Sequence, residues 1–353
     1  MAKTLMKGNE AIAEAAIMAG CRFFFGYPIT PQNQIPEYMS KRMPQIGGTF
    51  LQAESEVAAI NMVYGAAAAG GRVMTSSSSP GISLKQEGIS YAVGAELPCV
   101  VVNIVRGGPG LGGIQPAQSD YYQSTRGGGH GDYRMVVLAP DSVQEAVDLT
   151  RDAFDIADRY RNPVMVVGDG MVGQMMEPVE LTEREPVIPE KPWAADGKPK
   201  EKRAIVNSLF IDPDVLMKHN EKLQAKYDEM AKNETRVECT NVDGAEIVIV
   251  AYGTMARIAM KAAQRAQTEL GVKVGMVRPI TLWPFPSEAV RAAALQPSVK
   301  QLVSIEMSTG QMIDDVRLAV DGAKPVSFYG KTGGVVPTVK DVFEALSRIK
   351  EGK

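Results

Sequence analysis

From residue 9 onward, short runs that are mostly apolar on both faces alternate with longer stretches of helical spacing. The runs are "CRFFF", "GTFLQA", "RVMTS", "PCVVVNIV", "RMVVLA" and "PVMVVG". The intervening stretches read as helices: one from an Asn9 cap to Met18, stopped by Gly20, then one from Pro31, "SEVAAINMVYGAAAAGG", "GISLKQEGISYAVGAE", a short one near "AQSDYYQST", and "SVQEAVDLTRDAFDIADRY". Strands apolar on both faces and separated by helices predict an α/β domain, a doubly wound parallel sheet covered on both sides, over residues 1–170. The pattern then breaks. Residues 171–243 carry five prolines between Met171 and Asn207, followed by a polar stretch with helical potential, and read as a connecting arm. A second α/β series, "EIVIVAYG", "VKVGMVRPIT", "VKQLVSIEM" and "KPVSFYG", predicts a smaller domain over 244–353. Pro-Ile-Thr occurs at both 28–30 and 279–281, which is too short to count as a repeat.

Length and charge narrow the function classes. The 353 residues suffice for two domains, and a net charge of −3 with no long basic run argues against nucleic acid as a partner. Glu10 and Glu14 interrupt any signal-peptide core, and Glu96 breaks the longest apolar region, so the expectation is a cytoplasmic protein without a membrane span. Cys21, Cys99 and Cys239 lie far apart and read as buried thiols, with no spacing for zinc or an iron–sulfur cluster.

In an open parallel sheet, ligands gather beyond the carboxyl ends of the strands. The loops there hold Tyr27 to Pro31, Glu54 to Glu56, the serines 76–79, and Arg106 to Gly113. Thr30-Pro31 reads as a helix cap followed by a first-turn proline, and equally as a hydroxyl at an anion-binding helix end. Glu56 fits a first-turn acid behind a Ser55 cap, or a catalytic carboxylate. Arg106 precedes six glycine or proline residues in the seven positions 107–113, which suits close approach of an anion or a mobile loop; no Gly-Lys-Ser/Thr follows, so it is not a nucleotide P-loop. His130, in "GGGHGDY", is a candidate for the same cleft or a solvated loop residue, and His219 reads as exposed.

Together, "GYPITP", the stretch from "AESEVAAINMVYG" to "VVVNIVRGGPGLGG", and "VRPITLWPFP" with "VSIEMSTGQM" resemble the alpha subunit of 2-oxoacid:ferredoxin oxidoreductases over nearly the whole chain. "GGIQPAQSDYYQSTRGGGHGDYR" looks most like the branched-chain type, acting on 3-methyl-2-oxobutanoate (2-ketoisovalerate). The resemblance implies a pyrimidine-binding domain for thiamine diphosphate, followed by a domain of transketolase C-terminal type. It implies that thiamine diphosphate is shared with a partner beta subunit that holds the diphosphate and Mg2+. Glu56 would then hydrogen-bond the pyrimidine ring, Pro28 would pack on the cofactor, and Thr30 and Arg106 would meet the substrate carboxylate. Iron–sulfur clusters would lie on gamma and ferredoxin-like subunits, and the reaction would convert a 2-oxoacid and coenzyme A into acyl-CoA and CO2, with electrons going to ferredoxin. Gly168-Asp169-Gly170 mimics the start of the diphosphate–magnesium motif, but the segment after it is proline-rich and polar, so Asp169 is not read as a metal ligand and no metal site is assigned. Gln32-Asn33 stand where the pyruvate type has serines. Alternatives are a 2-oxoglutarate-specific alpha subunit, the pyrimidine-domain chain of a lipoate-linked 2-oxoacid dehydrogenase, a noncatalytic assembly subunit, and a nicotinamide-dependent dehydrogenase; the last lacks its glycine fingerprint.

Overall fold

The computed structural model describes residues 3–182, 185–200 and 202–351. In chain order the first part runs β1 (Thr4–Lys7), α1 (Gly8–Met18), β2 (Phe23–Gly26), α2 (Gln34–Arg42), β3 (Thr49–Gln52), α3 (Glu56–Ala68), β4 (Val73–Ser77), α4 (Pro80–Gly94), β5 (Val100–Val105), α5 (Tyr121–Thr125), β6 (Val136–Leu138), α6 (Val143–Tyr160) and β7 (Val164–Asp169). Then come α7 (Gly170–Gln174), β8 (Met176–Val179), α8 (Pro213–Glu234), β9 (Val237–Thr240), β10 (Ile247–Val250), α9 (Gly253–Leu270), β11 (Val274–Pro279) and β12 (Thr281–Trp283). The chain ends with α10 (Ser287–Ala294), β13 (Gln301–Glu306), α11 (Met312–Val320), β14 (Val326–Gly330) and α12 (Val339–Lys350).

The larger sheet has the order β12-β6-β7-β5-β4-β2-β3, parallel except for β12. Its central strands β4, β5 and β7 are buried along their whole length, as expected for apolar runs with helices on both faces. The chain leaves β2 for β3 on one side and returns to β4 on the other, so the order reverses between β2 and β4. That reversal opens a crevice at their carboxyl ends, where the Tyr27–Pro31 corner and the serines 76–79 face each other. The second sheet, β14-β13-β10-β11-β9, is parallel except for β9.

Several local expectations need correction. Asn9 does not cap α1; it is fully buried within the first turn, and Lys7 stands before the helix. The helix expected from Pro31 begins at Gln34. The arm between the α/β series is more than a connection: β8 pairs with β1, β9 joins the second sheet, and α8 buries Leu223, Tyr227 and Met230 in the core shared with the first domain. The Pro279-Ile280 step carries the chain from one sheet to the other, since β11 belongs to the second sheet and β12 pairs with β6 of the first. The two Pro-Ile-Thr triplets thus occupy unrelated settings, a loop corner and a strand transfer. Among the described residues no helix is long and apolar enough to cross a membrane.

Candidate active site

The proline corner after β2 is held by its carbonyl groups. Gln32 Nε2 donates to the Tyr27 carbonyl (3.2 Å), and Arg106 Nη1 donates to that of Thr30 (3.0 Å). The Pro31 carbonyl accepts from Asn9 Nδ2 (2.8 Å) and Gln174 Nε2 (2.7 Å). Side chains from α1, α7 and the loop after β5 therefore converge on the carbonyls of Thr30 and Pro31. The Thr30-Pro31 peptide is cis. Thr30 caps no helix, because α2 starts beyond Asn33; its hydroxyl receives a long 3.4 Å contact from Asn33 Nδ2 and is half-buried. Pro28 stands exposed on the outer lip.

Arg106 is 7% exposed. Besides Thr30, its Nη2 donates to the Leu111 carbonyl (3.0 Å), while Nε is buried without a partner. The glycine loop folds against itself: Gly113 N–H donates to the Gly107 carbonyl (2.9 Å), and a Cβ on Gly112 would lie 1.8 Å from that oxygen. Gly112 is thus required by the loop's own packing, with φ +61° as well, so its presence says nothing about an anion.

Facing the corner across the crevice, Ser79 adopts φ 29°, ψ −85°, a conformation L-residues avoid. Its amide donates to Asn103 Oδ1 (3.1 Å), its hydroxyl donates to Asp120 Oδ2 (2.7 Å), and its Oγ accepts from the Arg106 amide (3.0 Å). Burial pushes the Asp120 carboxyl up, against the hydrogen bonds from Asn103 and Ser79. Asn103 and Asp120 carried no signal in the sequence, since their role exists only once β5 and α5 meet the serine loop.

Glu56 opens α3, with the Ser55 hydroxyl accepting from the Ala58 amide (3.1 Å). It is 6% exposed, whereas Glu54 points to solvent, so of the two carboxylates Glu56 lies inside the site. Its wall is glycine by necessity: a Cβ on Gly81 would lie 2.7 Å from Glu56 Oε1 and 2.1 Å from Ser77 Oγ. Ser77 Oγ and Ser78 Oγ are buried without hydrogen-bond partners. One turn beyond Gly81 on α4, the fully buried Lys85 donates from Nζ to Thr75 Oγ1 (2.8 Å).

His130 does not join this cleft. It lies with Tyr91 and His219 around a separate recess of about 260 Å³, and His219 is half-buried, its ring nitrogen 2.8 Å from the Gly94 carbonyl. Asp169 caps α7 through the Met171 and Val172 amides, and also accepts from the Thr254 amide and hydroxyl on α9. Its oxygens are thus taken up by the α7 amides and by Thr254 of α9. Cys21 and Cys99 are buried, their thiols pushed by burial up to about 12, whereas Cys239 is exposed, contrary to expectation. Among the described residues no three His, Cys, Asp or Glu gather as a metal site.

The crevice therefore offers a buried carboxylate, unpartnered hydroxyls and a glycine-cleared wall at a topological switch point. These features suit a flat, hydrogen-bonding heterocycle such as the pyrimidine of thiamine diphosphate. Comparison with known proteins agrees. Residues 14–238 match the family described as "Pyruvate flavodoxin/ferredoxin oxidoreductase, thiamine diP-bdg", and 245–342 match "Pyruvate:ferredoxin oxidoreductase core domain II". The chain is 50% identical over 99% of its length, and 98% of the relative's, to ketoisovalerate oxidoreductase subunit VorB of Methanothermobacter thermautotrophicus.

The chain belongs to the 2-oxoacid:ferredoxin oxidoreductase family. It is an enzyme subunit of this thiamine-diphosphate-dependent, ferredoxin-linked group. It is also 38% identical, over 97% of the chain and 98% of the relative, to 2-oxoglutarate synthase subunit KorA of Methanocaldococcus jannaschii. Among solved structures, a 2-oxoglutarate:ferredoxin oxidoreductase from Magnetococcus marinus, with 2-oxoglutarate, coenzyme A and succinyl-CoA bound, matches with TM-score 0.84 at 27% identity. That match covers 98% of this chain but 65% of the solved one, so this oxidoreductase subunit spans about two thirds of it. A split-gene transketolase shares the fold alone, at 15% identity and TM-score 0.57, covering 97% of each chain.

Proposed function

We propose that this oxidoreductase subunit acts, with partner chains, in the oxidative decarboxylation of 3-methyl-2-oxobutanoate with coenzyme A, yielding acyl-CoA and CO2 and passing electrons to ferredoxin in the cytoplasm. The partners are a beta subunit holding the diphosphate and Mg2+, and gamma and ferredoxin-like subunits; the iron–sulfur clusters lie on partner chains. Bound thiamine diphosphate supplies the carbon nucleophile and electron sink for loss of CO2. Glu56 holds the pyrimidine ring nitrogen through its carboxylate, and Pro28 on the lip packs against the ring. Arg106 and Thr30 hold the substrate carboxylate, the guanidinium by charge and the hydroxyl by a donated hydrogen bond.

The observation that carries the choice of substrate lies beside Thr30. A recess of about 580 Å³ there is lined in part by Pro31, Ile114, Pro116, Met171 and Met175 and in part by the amide side chains of Asn33, Gln34, Gln115 and Gln174, with no charged residue among them. The apolar part suits a branched alkyl group, whereas the distal carboxylate of 2-oxoglutarate would meet amide donors there but no compensating cation. The name of the 50%-identical relatives supports the same reading. The test is a panel of 2-oxoacids given to the reconstituted complex with coenzyme A and ferredoxin. The highest kcat/KM is expected for 3-methyl-2-oxobutanoate, and a clear preference for 2-oxoglutarate or pyruvate would overturn the assignment.

A further inference from the structure

The backbone of Ser79 is set by its neighbours. At φ 29°, ψ −85° an L-residue stays only where other contacts hold it. Asn103 Oδ1 accepts from the Ser79 amide (3.1 Å), Asp120 Oδ2 accepts from the Ser79 hydroxyl (2.7 Å), and Asn103 Nδ2 donates to that same Asp120 oxygen (2.9 Å), so the three residues close a triangle. The hydroxyl has one proton and two acceptors within reach, Asp120 at 2.7 Å and the Arg106 carbonyl at 3.3 Å, and the shorter bond wins. With its proton directed to Asp120, the Ser79 oxygen accepts from the Arg106 amide (3.0 Å). Arg106 is thereby held at both ends, its main chain by Ser79 and its guanidinium by the Thr30 and Leu111 carbonyls. Neither Ser79 nor Asp120 lines the recess beside Thr30; both line another, of about 640 Å³, together with Gly107 to Gly110.

We propose that Asp120 is a positioning residue for the oxoacid: with Asn103 it holds Ser79 in its strained turn, and the Ser79 oxygen fixes the main chain from which Arg106 reaches the substrate carboxylate. This rests on the reading of Arg106 given above. Asp120 acts at a distance, through Ser79 and then Arg106, and touches no substrate. Because both donors converge on Oδ2 alone, the position calls for an acceptor and not for a charge. An asparagine amide can offer its oxygen to the same two groups. Alanine cannot: it leaves the Asn103 amide without that acceptor and frees the Ser79 hydroxyl to turn toward the Arg106 carbonyl.

The experiment measures oxoacid KM in the assembled complex for Asp120→Ala, Asp120→Asn, Ser79→Gly, Arg106→Ala and the double variant Asp120→Ala/Arg106→Ala. Asp120→Ala is expected to raise KM by about 5- to 20-fold. Asp120→Asn should stay within about twofold of the parent, since the acceptor is restored. Ser79→Gly takes φ 29° without strain and lacks only the hydroxyl, so the KM rise expected in it reports the lost bond and not a distorted turn. The double variant should match Arg106→Ala, because Asp120 acts through Arg106. A parental KM in Asp120→Ala or Ser79→Gly overturns the inference, as does an Asp120→Asn complex impaired as much as the alanine one, or a double variant in which the two losses multiply. An unchanged KM in Arg106→Ala overturns the reading of Arg106 itself, so the two failures are distinct. Should Asp120→Ala not assemble, Ser79→Gly and Asp120→Asn decide: raised KM in the first with near-parental KM in the second supports the proposal, and any other pair of results overturns it.

Discussion

Thr30→Val separates a structural from a functional role for the proline corner more cleanly than any other single change. A helix cap replaced by an isostere without the hydroxyl costs about 1 kcal/mol. Here, though, α2 begins at Gln34, and the hydroxyl accepts a single long contact of 3.4 Å from Asn33. That contact exceeds the usual hydrogen-bond range of about 2.7–3.2 Å, so the stability lost should be well under 1 kcal/mol. The main constraints on the corner, the bonds to the Tyr27, Thr30 and Pro31 carbonyls, all survive the substitution. In contrast, a hydrogen bond to a charged group is worth about 1.5–3 kcal/mol, which converts to a rise in oxoacid KM of roughly 10- to 100-fold at tenfold per 1.4 kcal/mol. Melting temperature and oxoacid KM are to be measured on the same assembled Thr30→Val complex. A KM rise with a melting shift below about 2 °C is expected, with Thr30→Ser close to the parent on both counts. Lowered stability with unchanged KM would refute the reasoning and leave the corner a purely architectural feature.

Glu56→Gln should assemble normally and slow turnover by about 10²–10⁴, the range for loss of acid–base action, while the exposed Glu54→Gln stays near the parent; the reverse pattern in stopped-flow or steady-state rates moves the assignment to Glu54. Arg106→Ala should raise oxoacid KM by at least as much as Thr30→Val and also lower the melting temperature, because it frees the Thr30 and Leu111 carbonyls; a KM effect without any stability effect contradicts the observed hydrogen bonds. Lys85 binds its proton less tightly folded than unfolded, so between about 7 and 10.5 its contribution to stability rises with pH and is lost as pH falls through 7. Denaturant titrations should therefore show Lys85→Met gaining on the parent as pH is lowered, and a constant difference across that window counts against it. Asp169→Ala leaves the Met171, Val172 and Thr254 donors unpaired and should destabilise by about 2–4 kcal/mol in denaturant melts; a loss under 0.5 kcal/mol would show the interdomain joint to be dispensable.

The strands and most helices of the first domain were legible because their period is written locally: "PCVVVNIV" is apolar at alternate and intervening positions alike, and β5 is buried at all six. What escaped depends on partners distant in sequence. Asn9 looks like a cap because capping is the local use of asparagine, but its amide reaches 22 residues ahead to Pro31. β12 reads as the tail of "VKVGMVRPIT", and only the vacant edge of β6 in the other sheet explains why the chain turns away at Ile280. At the site, Glu56 and Arg106 stood out because strand ends and glycine loops mark a ligand edge. Lys85 did not: within "GISLKQEGISY" a lysine on a helix suggests solvent, and its burial follows from which face of α4 meets α3.

The commitments of Arg106 explain why this position calls for arginine rather than a generic cation. One terminal nitrogen serves the Thr30 carbonyl and the other that of Leu111, so the plane of the guanidinium is fixed by two loops at once. Its Nε is left buried without a partner. A lysine ammonium has no plane to fix, and Arg106→Lys would keep the charge while surrendering one carbonyl and the direction of the other donors. Ordering a side chain on binding costs about 0.5–1.5 kcal/mol, a cost that a guanidinium already fixed by two carbonyls would not incur. The same logic applies to the adjoining backbone, where Ser79 is held at φ 29° by Asn103 and Asp120 and its hydroxyl oxygen accepts from the Arg106 amide. The strained serine and the committed arginine are thus locked to each other and to the Thr30 carbonyl.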